Sequence, residues 1–142
     1  MDGAGIAAHV FRTAEDVRVN DVYELSPESP FQFDPSFDSR VGYRTRTMLA
    51  LPLQSSKGHR LGVLQLVNRK FSSSDHWPSK SAEQLAKMPN FSDDDEMLLQ
   101  SFAAIASASI EKSNLYRDIE NLLQGIIHAS VAAIESRDPV TS

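Results

Sequence analysis

The stretch from Ser92 to Pro139 constrains the fold of this chain more than any other feature. It contains no internal proline, and Gly125 is its only glycine. Ser92 and the acidic run Asp93 to Glu96 are typical of a helix start, because serine caps the first amides and carboxylates favour the positive end of the helix dipole. Apolar residues then recur at the helical period, at Leu98, Leu99, Phe102, Ile105, Ala106 and Ile110. The stretch therefore predicts one helix of about forty residues.

The second half of this predicted helix has a narrower apolar pattern. Leu115, Ile119, Leu122, Ile126, Ala129 and Ala133 follow one another at spacings of 4, 3, 4, 3 and 4 residues. This is a heptad pattern, which is typical of helices that pair along an apolar face. Leu123, Ile127, Val131 and Ile134 widen that face. We predict that the chain forms a homodimer through this helix.

Two strands are predicted in the middle of the chain. Thr47 to Leu53 places Thr47, Leu49, Leu51 and Leu53 on one face at a period of two, and Leu61 to Val67 returns after a turn. Pro52 lacks an amide hydrogen, so it places the first strand at an edge or marks a bulge. The second strand is apolar on both faces, which favours a central position with cover on each side.

Shorter elements surround this hairpin. Gly5 to Glu15 predicts a helix and Val17 to Val19 a strand, whereas residues 71–90 read as a polar insertion loop. Residues 20–43 are rich in turn residues but carry four aromatics, Phe31, Phe33, Phe37 and Tyr43, which predict an ordered flap. The predicted fold class is α+β, an antiparallel sheet packed by helices that runs into a long dimerising helix.

Composition limits the classes of partner. The chain has 142 residues, with 14 Lys and Arg against 19 Asp and Glu, a formal net charge of −5. This balance argues against nucleic acid as a partner. There is no cysteine, which excludes disulfides, thiolate metal sites and a cysteine nucleophile. The apolar runs are too short to cross a bilayer, and a cytoplasmic location is expected.

No catalytic arrangement is visible in the sequence. A G-x-G-x-x-A pattern at residues 3–8 lacks the preceding strand that a dinucleotide site requires. The four histidines, His9, His59, His76 and His128, are scattered without metal-ligand spacing. We expect no enzyme activity, no metal and no cofactor. The flap and the polar residues Asp21, Thr45, Thr47 and Asn68 are able to enclose a small planar ligand, but the flap aromatics equally suit a core of their own.

Several blocks of the sequence resemble a GAF domain. They are Gly5–Thr13, Val19–Tyr23, Gly42–Leu53 and Leu61–Arg69. The subtype in cyclic-nucleotide phosphodiesterases and adenylyl cyclases carries Asn-Lys/Arg, an insertion, and then Phe-x-x-x-Asp-Glu. Asn68 and Arg69, followed by Phe91, Asp95 and Glu96, are similar to that motif. The resemblance covers about residues 3 to 112.

This resemblance implies roles for particular residues. It implies a salt bridge between Arg69 and Asp95 that ties the last strand to the final helix and supports a ligand pocket. It places the ligand-binding positions at Asp21, Tyr23, Phe37, Thr45 and Thr47, with cyclic GMP or cyclic AMP as the first candidate ligand. Compared with the family pattern, the chain looks truncated at its N-terminus, before the Gly5 block.

Residues 128–142 resemble the opening of an HD-GYP domain, a cyclic di-GMP phosphodiesterase module whose metal ligands lie further on. The expected organisation is a partial GAF domain at 1–112, a signalling helix at 113–134 and the start of an HD-GYP domain at 135–142. The implied function is a sensory module of a bacterial signalling protein that passes ligand state through a dimer helix to an output domain. The alternative is a structural dimerisation module that binds no ligand.

Overall fold

The structure, a computed structural model, describes residues 4–72 and 82–137. In these ranges the chain forms five strands and four helices. The strands are β1 (Ala4–Gly5), β2 (Val17–Val19), β3 (Phe31–Gln32), β4 (Met48–Gln54) and β5 (Arg60–Val67). The helices are α1 (Ile6–Thr13), α2 (Ser36–Val41), α3 (Ala82–Ala86) and α4 (Asp93–Arg137).

A three-stranded antiparallel sheet in the order β2-β4-β5 organises the fold. A separate parallel pair joins β1 to β3, with Ala4 opposite Phe31. Helices and sheet are therefore both present, and the predicted α+β class is confirmed. The hairpin of β4 and β5 is also confirmed, with Leu51 opposite Leu64 at its middle.

The two faces of β4 contribute to two separate apolar clusters. Its Met48 and Ala50 belong to a cluster with α1 and β2, whose other buried members are Ile6, Val10, Val17, Val19 and Val22. Its Leu49, Leu51 and Leu53 belong to a second cluster with Phe91, Leu99 and Ala103, at the start of α4. Because successive side chains of a strand point to opposite faces, β4 is buried between two helical layers.

The predicted central position of the Leu61–Val67 strand is wrong. The central strand is β4, and β5 lies at an edge of the three-stranded sheet, with Leu66 and Val67 about 40% exposed. The cover predicted on each side is present in part, because Val63 packs against the cluster around α1 and Leu61 and Leu64 pack against the cluster with α4. Pro52 lies in the central strand, but β2 pairs only with residues 48–50, and a register shift follows at Leu53 and Gln54. The missing amide of Pro52 thus falls where β4 has no neighbour on its β2 side.

The segment predicted as an ordered flap contains regular structure of its own. It holds β3 and α2, and Phe31 and Phe33 pack against the cluster around α1. Phe37 is instead 55% exposed on α2. The predicted insertion loop includes α3, and its residues 73–81, with His76, lie outside the described residues.

The long helix is confirmed as a single element of 45 residues. Ser92 caps it: the Ser92 hydroxyl accepts the Asp95 amide at 3.2 Å, and the Asp95 carboxylate accepts the Ser92 amide at 2.7 Å. This reciprocal pair is a capping box, with Asp in place of the usual Glu. Only one face of the helix is buried, through Leu99, Ala103 and Ser107.

The remaining apolar residues of α4 are uncovered. Leu98, Phe102 and Ile105, which share the predicted helical period with Leu99, are 56–65% exposed. Every described residue from Lys112 onward is exposed. Within residues 4–72 and 82–137, the helices lack an apolar stretch of the length that a membrane span needs. Residues 138–142, part of the predicted HD-GYP start, lie outside the described residues.

Candidate functional site

A polar cavity of about 290 Å³ lies where the β2–β3 connection, the segment before β4 and α3 meet. Its lining residues are Asp21, Glu24, Arg44, Arg46, Leu85 and Ala86. Two carboxylates and two guanidinium groups thus face a space at the lower end of the range for small-molecule pockets. The two apolar residues both come from α3.

The alternation of residues 44–47 explains which side chains reach this cavity. Thr45 and Thr47 are buried, at 4% and 0% exposure, whereas Arg44 and Arg46 lie on the opposite side and line the cavity. The exposure of residues 44–47 thus alternates with a period of two, although these residues precede β4. The threonines therefore lie in the protein interior, and the arginines supply positive charge to the cavity.

Both arginines are held in place. The Arg44 guanidinium carbon lies 3.2 Å from the centroid of the Tyr23 ring, a cation–π arrangement. Arg46 donates from Nη1 to the Met88 carbonyl at 2.6 Å, and its Nε lies 3.7 Å from Asp21 Oδ2. Arg46 therefore connects the segment before β4 to the segment that follows α3. Ordered cations in a fixed geometry lose little conformational entropy when an anion binds.

A buried carboxylate holds the Tyr23 ring on which Arg44 packs. Asp38 of α2, only 3% exposed, accepts hydrogen bonds from the Tyr23 hydroxyl at 2.8 Å and from the Thr45 amide and hydroxyl at 2.7 Å each. These three donors replace the water that the carboxylate loses on burial. Burial, with the Asp38 hydrogen bond, raises the pKa of Tyr23 above its usual value, so the phenol stays neutral.

Asn68 is a second buried centre of hydrogen bonds. Its Oδ1 accepts the amides of Arg46 at 2.7 Å and Thr47 at 3.2 Å, and its Nδ2 donates to the Tyr43 hydroxyl and the Arg44 carbonyl. Its backbone has a φ of 57°, the left-handed region that asparagine tolerates better than most residues. Asn68 therefore fixes the backbone of both cavity arginines.

The next residue, Arg69, connects this centre to α4. Its Nε lies 2.5 Å from Asp95 Oδ2, and its amide donates to the Thr47 hydroxyl at 3.0 Å. The structure thus contains the ion pair that the family resemblance implies. The Ser92 amide, followed by Arg69, lowers the pKa of Asp95 below its usual value. From the other edge of the sheet, Arg18 Nη1 lies 2.7 Å from Asp93 and 3.4 Å from Glu96.

The five predicted ligand-binding residues occupy different settings. Asp21 lines the cavity, Tyr23 supports Arg44 and Thr45 is bonded to Asp38. Thr47 is fully buried against Arg69, and Phe37 lies exposed near Arg40, whose guanidinium carbon is 5.8 Å from its ring. Of the predicted motif, Phe91 is buried in the cluster with α4.

Sequence reasoning missed Asp38, Arg44, Arg46 and Glu24. The alternating Arg-Thr-Arg-Thr run at residues 44–47 was an available signal, because a period of two separates its cations from its hydroxyls. No such signal existed for Asp38, whose burial depends on how α2 folds back onto the strand. Within the described ranges, no group of three His, Asp or Glu side chains has the arrangement of a metal site.

The chain is similar in sequence to curated proteins. Two curated relatives are the fruit fly Drosophila melanogaster "Dual 3',5'-cyclic-AMP and -GMP phosphodiesterase 11", 37% identical over 67 residues, and the pufferfish Takifugu rubripes "Dual 3',5'-cyclic-AMP and -GMP phosphodiesterase 11A", 29% identical over 114 residues. These matches cover 47% and 80% of this chain. The chain spans only 4% and 10% of the lengths of those relatives.

A solved structure described as "STRUCTURE OF THE GAF DOMAIN" is also similar. It has 18% sequence identity and a TM-score of 0.48, and the match covers 77% of this chain and 46% of that one. The family model for the GAF domain matches residues 1–110, which include the whole sheet and the buried part of α4. The chain is therefore a member of the GAF domain family.

Proposed function

We propose that this chain is a non-catalytic regulatory module that binds a small molecule in the cavity and passes the bound state to α4. The observation that supports the proposal is the direct connection between the cavity and α4. Asn68 holds the Arg46 amide at the cavity, and the adjacent Arg69 holds Asp95 in the first turn of α4. Two consecutive residues, Asn68 and Arg69, therefore connect the cavity wall to α4.

The charges of the cavity favour a ligand with an anionic group and hydrogen-bond donors. Arg44 and Arg46 suit a phosphate, because guanidinium groups donate in pairs to phosphate oxygens. Asp21 and Glu24 suit amino or imino groups, which carboxylates accept. Nucleotides carry both kinds of group, and two relatives are named as phosphodiesterases of cyclic AMP and cyclic GMP. Cyclic GMP and cyclic AMP are therefore the first ligands to test.

The output of the module is part of the same proposal. The seam residues Leu115, Ile119, Leu122 and Ile126 are 53–65% exposed beyond the sheet, and they suit a homodimer through α4. Ligand binding alters the output only if the two states of the dimer differ in ligand affinity. The proposed output is an HD-GYP cyclic di-GMP phosphodiesterase in a bacterial signalling protein. This part of the proposal rests on the resemblance of residues 128–142 to the opening of an HD-GYP domain.

The test is a thermal unfolding scan of the purified chain with cyclic GMP, cyclic AMP or no addition. A ligand at about 100 times its dissociation constant adds roughly 2.7 kcal/mol to the free energy of unfolding, which is a visible rise in Tm. The variant Arg44→Ala removes one cavity cation and is expected to abolish the rise. Arg60→Ala, an exposed arginine on β5, is the matched control and is expected to keep it.

A cooperative transition that neither nucleotide shifts would overturn the nucleotide assignment. The second candidate function is a structural dimerisation module without a ligand. One observation favours it: the hydroxyls of Thr45 and Thr47 are already bonded inside the protein. That candidate predicts an intact dimer and a Tm that responds to no ligand.

A further inference from the structure

Helix α3 forms the apolar wall of the cavity. Leu85 and Ala86 are the two apolar residues that line the cavity, whereas the other lining residues are all charged. The charged residues come from the β2–β3 connection and from the segment before β4. A ligand in the cavity therefore meets charged groups on one side and α3 on the other.

Outside the cavity, α3 is weakly attached to the rest of the described structure. Glu83, Gln84 and Lys87 are exposed, and α3 packs extensively on no other described helix or strand. The ion pair between Lys87 Nζ and Glu83, at 2.7 Å, joins two residues of the same short segment. Because so short a helix is unstable in isolation, the position of α3 depends on the few contacts that it makes at the cavity.

Arg46 supplies a polar contact between the end of α3 and the segment before β4. Its Nη1 donates to the Met88 carbonyl at 2.6 Å. Met88 closes the last turn of α3, because its amide donates to the Leu85 carbonyl at 3.1 Å. A hydrogen bond from a charged donor is about twice as strong as one between neutral groups. The Arg46 guanidinium thus holds the C-terminal end of α3, directly after the two residues that line the cavity.

Arg46 retains donors for an anion after it has bound Met88. A guanidinium group has five N–H donors, and the Met88 carbonyl accepts from Nη1 alone. Arg46 Nε lies 3.7 Å from Asp21 Oδ2, which is longer than a hydrogen bond. Since Arg46 also lines the cavity, an anion there is able to bind this guanidinium while Met88 remains bound.

Arg44 is a cavity cation with a different attachment. Its guanidinium carbon lies 3.2 Å from the centroid of the Tyr23 ring, in the β2–β3 connection. Both arginines therefore bring positive charge to the cavity. Among the described contacts, the Arg44 side chain is held by Tyr23, whereas the Arg46 side chain is bonded to the end of α3.

We infer that α3 is a lid over the cavity and that Arg46 is the positioning residue that holds this lid closed. A bound ligand places its planar ring against Leu85 and Ala86 and its anionic group on Arg46. The anion orders the guanidinium, which lowers the entropic cost of its bond to Met88. This inference rests on the proposed function and adds the regulation of the same site, because ligand exchange then requires α3 to open.

Hydrogen–deuterium exchange of the full chain without ligand tests the hold of Arg46 on α3. Arg46→Met keeps a long side chain but has no donor. We expect the amides of Lys87 and Met88, which close the last turn of α3, to exchange about threefold faster or more. Arg46→Lys restores a charged donor and is expected to recover part of this protection. Arg44→Met is the matched control and is expected to leave these amides unchanged, and the amides of β4 and α4 report whether each variant is folded.

The same measurement with cyclic GMP, cyclic AMP or inorganic phosphate tests the closure of the lid. In the unsubstituted chain, a saturating probe is expected to slow exchange at Lys87 and Met88 by about threefold or more. Leu85→Ala removes most of the lid's apolar contact and is expected to speed the release of a bound nucleotide about tenfold in stopped-flow displacement. Gln84→Ala, an exposed position on the same helix, is the control and is expected to keep the release rate.

The outcomes separate this inference from the proposed function. Unchanged exchange of α3 in both folded Arg46 variants overturns the hold of Arg46, whether or not a nucleotide binds. A nucleotide that raises Tm but changes neither α3 exchange nor the release rate in Leu85→Ala overturns the lid and leaves the proposed function intact. Protection of α3 by phosphate alone supports the lid and overturns the nucleotide assignment of the proposed function. Failure of all three probes to protect α3 overturns the lid.

Discussion

At the scale of single residues, the cavity depends on two buried side chains that do not line it. Asp38 positions Tyr23, and Asn68 positions the backbone of Arg44 and Arg46. Each makes hydrogen bonds to several partners at once, so a substitution leaves several buried groups unpaired. Such networks produce larger losses of stability than single surface contacts.

Asn68→Ala tests the first of these effects. It removes four hydrogen bonds and places alanine at a positive φ, which alanine tolerates less well than asparagine. We therefore expect a loss of about 2–4 kcal/mol in the free energy of unfolding. Asn68→Gly removes the same hydrogen bonds but relieves the backbone, and we expect it to be about 1 kcal/mol less damaging. Urea unfolding measures both. Equal losses in the two variants would contradict a backbone contribution at this position.

Asp95 supplies a pH dependence whose sign follows from its lowered pKa. A carboxyl whose pKa is lower in the folded state stabilises the fold above its unfolded pKa, about 3.9, and loses that contribution as pH falls through the folded value. We expect Asp95→Asn to destabilise the chain by about 1–3 kcal/mol at pH 7. The difference from the unsubstituted chain is expected to shrink below about pH 4.

The matched control for this prediction is Asp94→Asn, an exposed carboxylate one residue earlier in the same helix turn. It is expected to change stability by less than about 0.5 kcal/mol at any pH. Denaturant titrations between pH 3 and pH 7 give the comparison. A constant difference across that range for Asp95→Asn would show that its ionisation has no part in stability.

At the scale of elements, the central position of β4 predicts an unequal response of the two hairpin strands. Leu49→Ala empties a site that is 0% exposed between two packed layers, and we expect a loss of about 2–5 kcal/mol. Leu66→Ala, at its paired position on the edge strand, is 39% exposed and is expected to cost less than about 1.5 kcal/mol. Chemical denaturation that gave equal losses would contradict the observed strand order.

The same elements show what sequence patterns were able to predict. The period of two across Thr47–Leu53 and the absence of proline after Ser92 were local properties, and both predicted elements exist. The placement of β5 was not local, because an apolar strand is covered or exposed according to what packs on it. The cavity was missed for the same reason: Asp38 and Arg46 meet their partners only after residues 15 and 42 positions away are brought together.

At the scale of the whole molecule, α4 contacts the sheet with one side and exposes apolar residues on the other. Leu99 and Ala103 pack on the sheet, while Leu98 and Ile105 are exposed. A shift or rotation of this segment against the sheet therefore moves the exposed residues as well. Besides apolar packing, polar contacts from Arg69, Arg18, Asp16 and Ser56 hold this part of α4 in its present position.

This arrangement predicts that ligand binding and dimerisation are thermodynamically coupled. If a saturating cyclic nucleotide changes the dimer dissociation constant by some factor, the product of the nucleotide dissociation constants of the dimer's two sites must differ from the square of the monomer's constant by the same factor, because the equilibria form a closed cycle. We expect a change of about 5- to 150-fold, the usual range of such coupling. Sedimentation with and without nucleotide measures one side of the cycle, and calorimetry on the chain and on the monomeric variant Leu122→Asp measures the other.

Arg69→Ala, which separates the cavity wall from α4, is expected to reduce the coupling factor towards one while both binding events persist. Full coupling in Arg69→Ala would show that the signal reaches α4 by another route, such as the contacts of Arg18, Asp16 or Ser56.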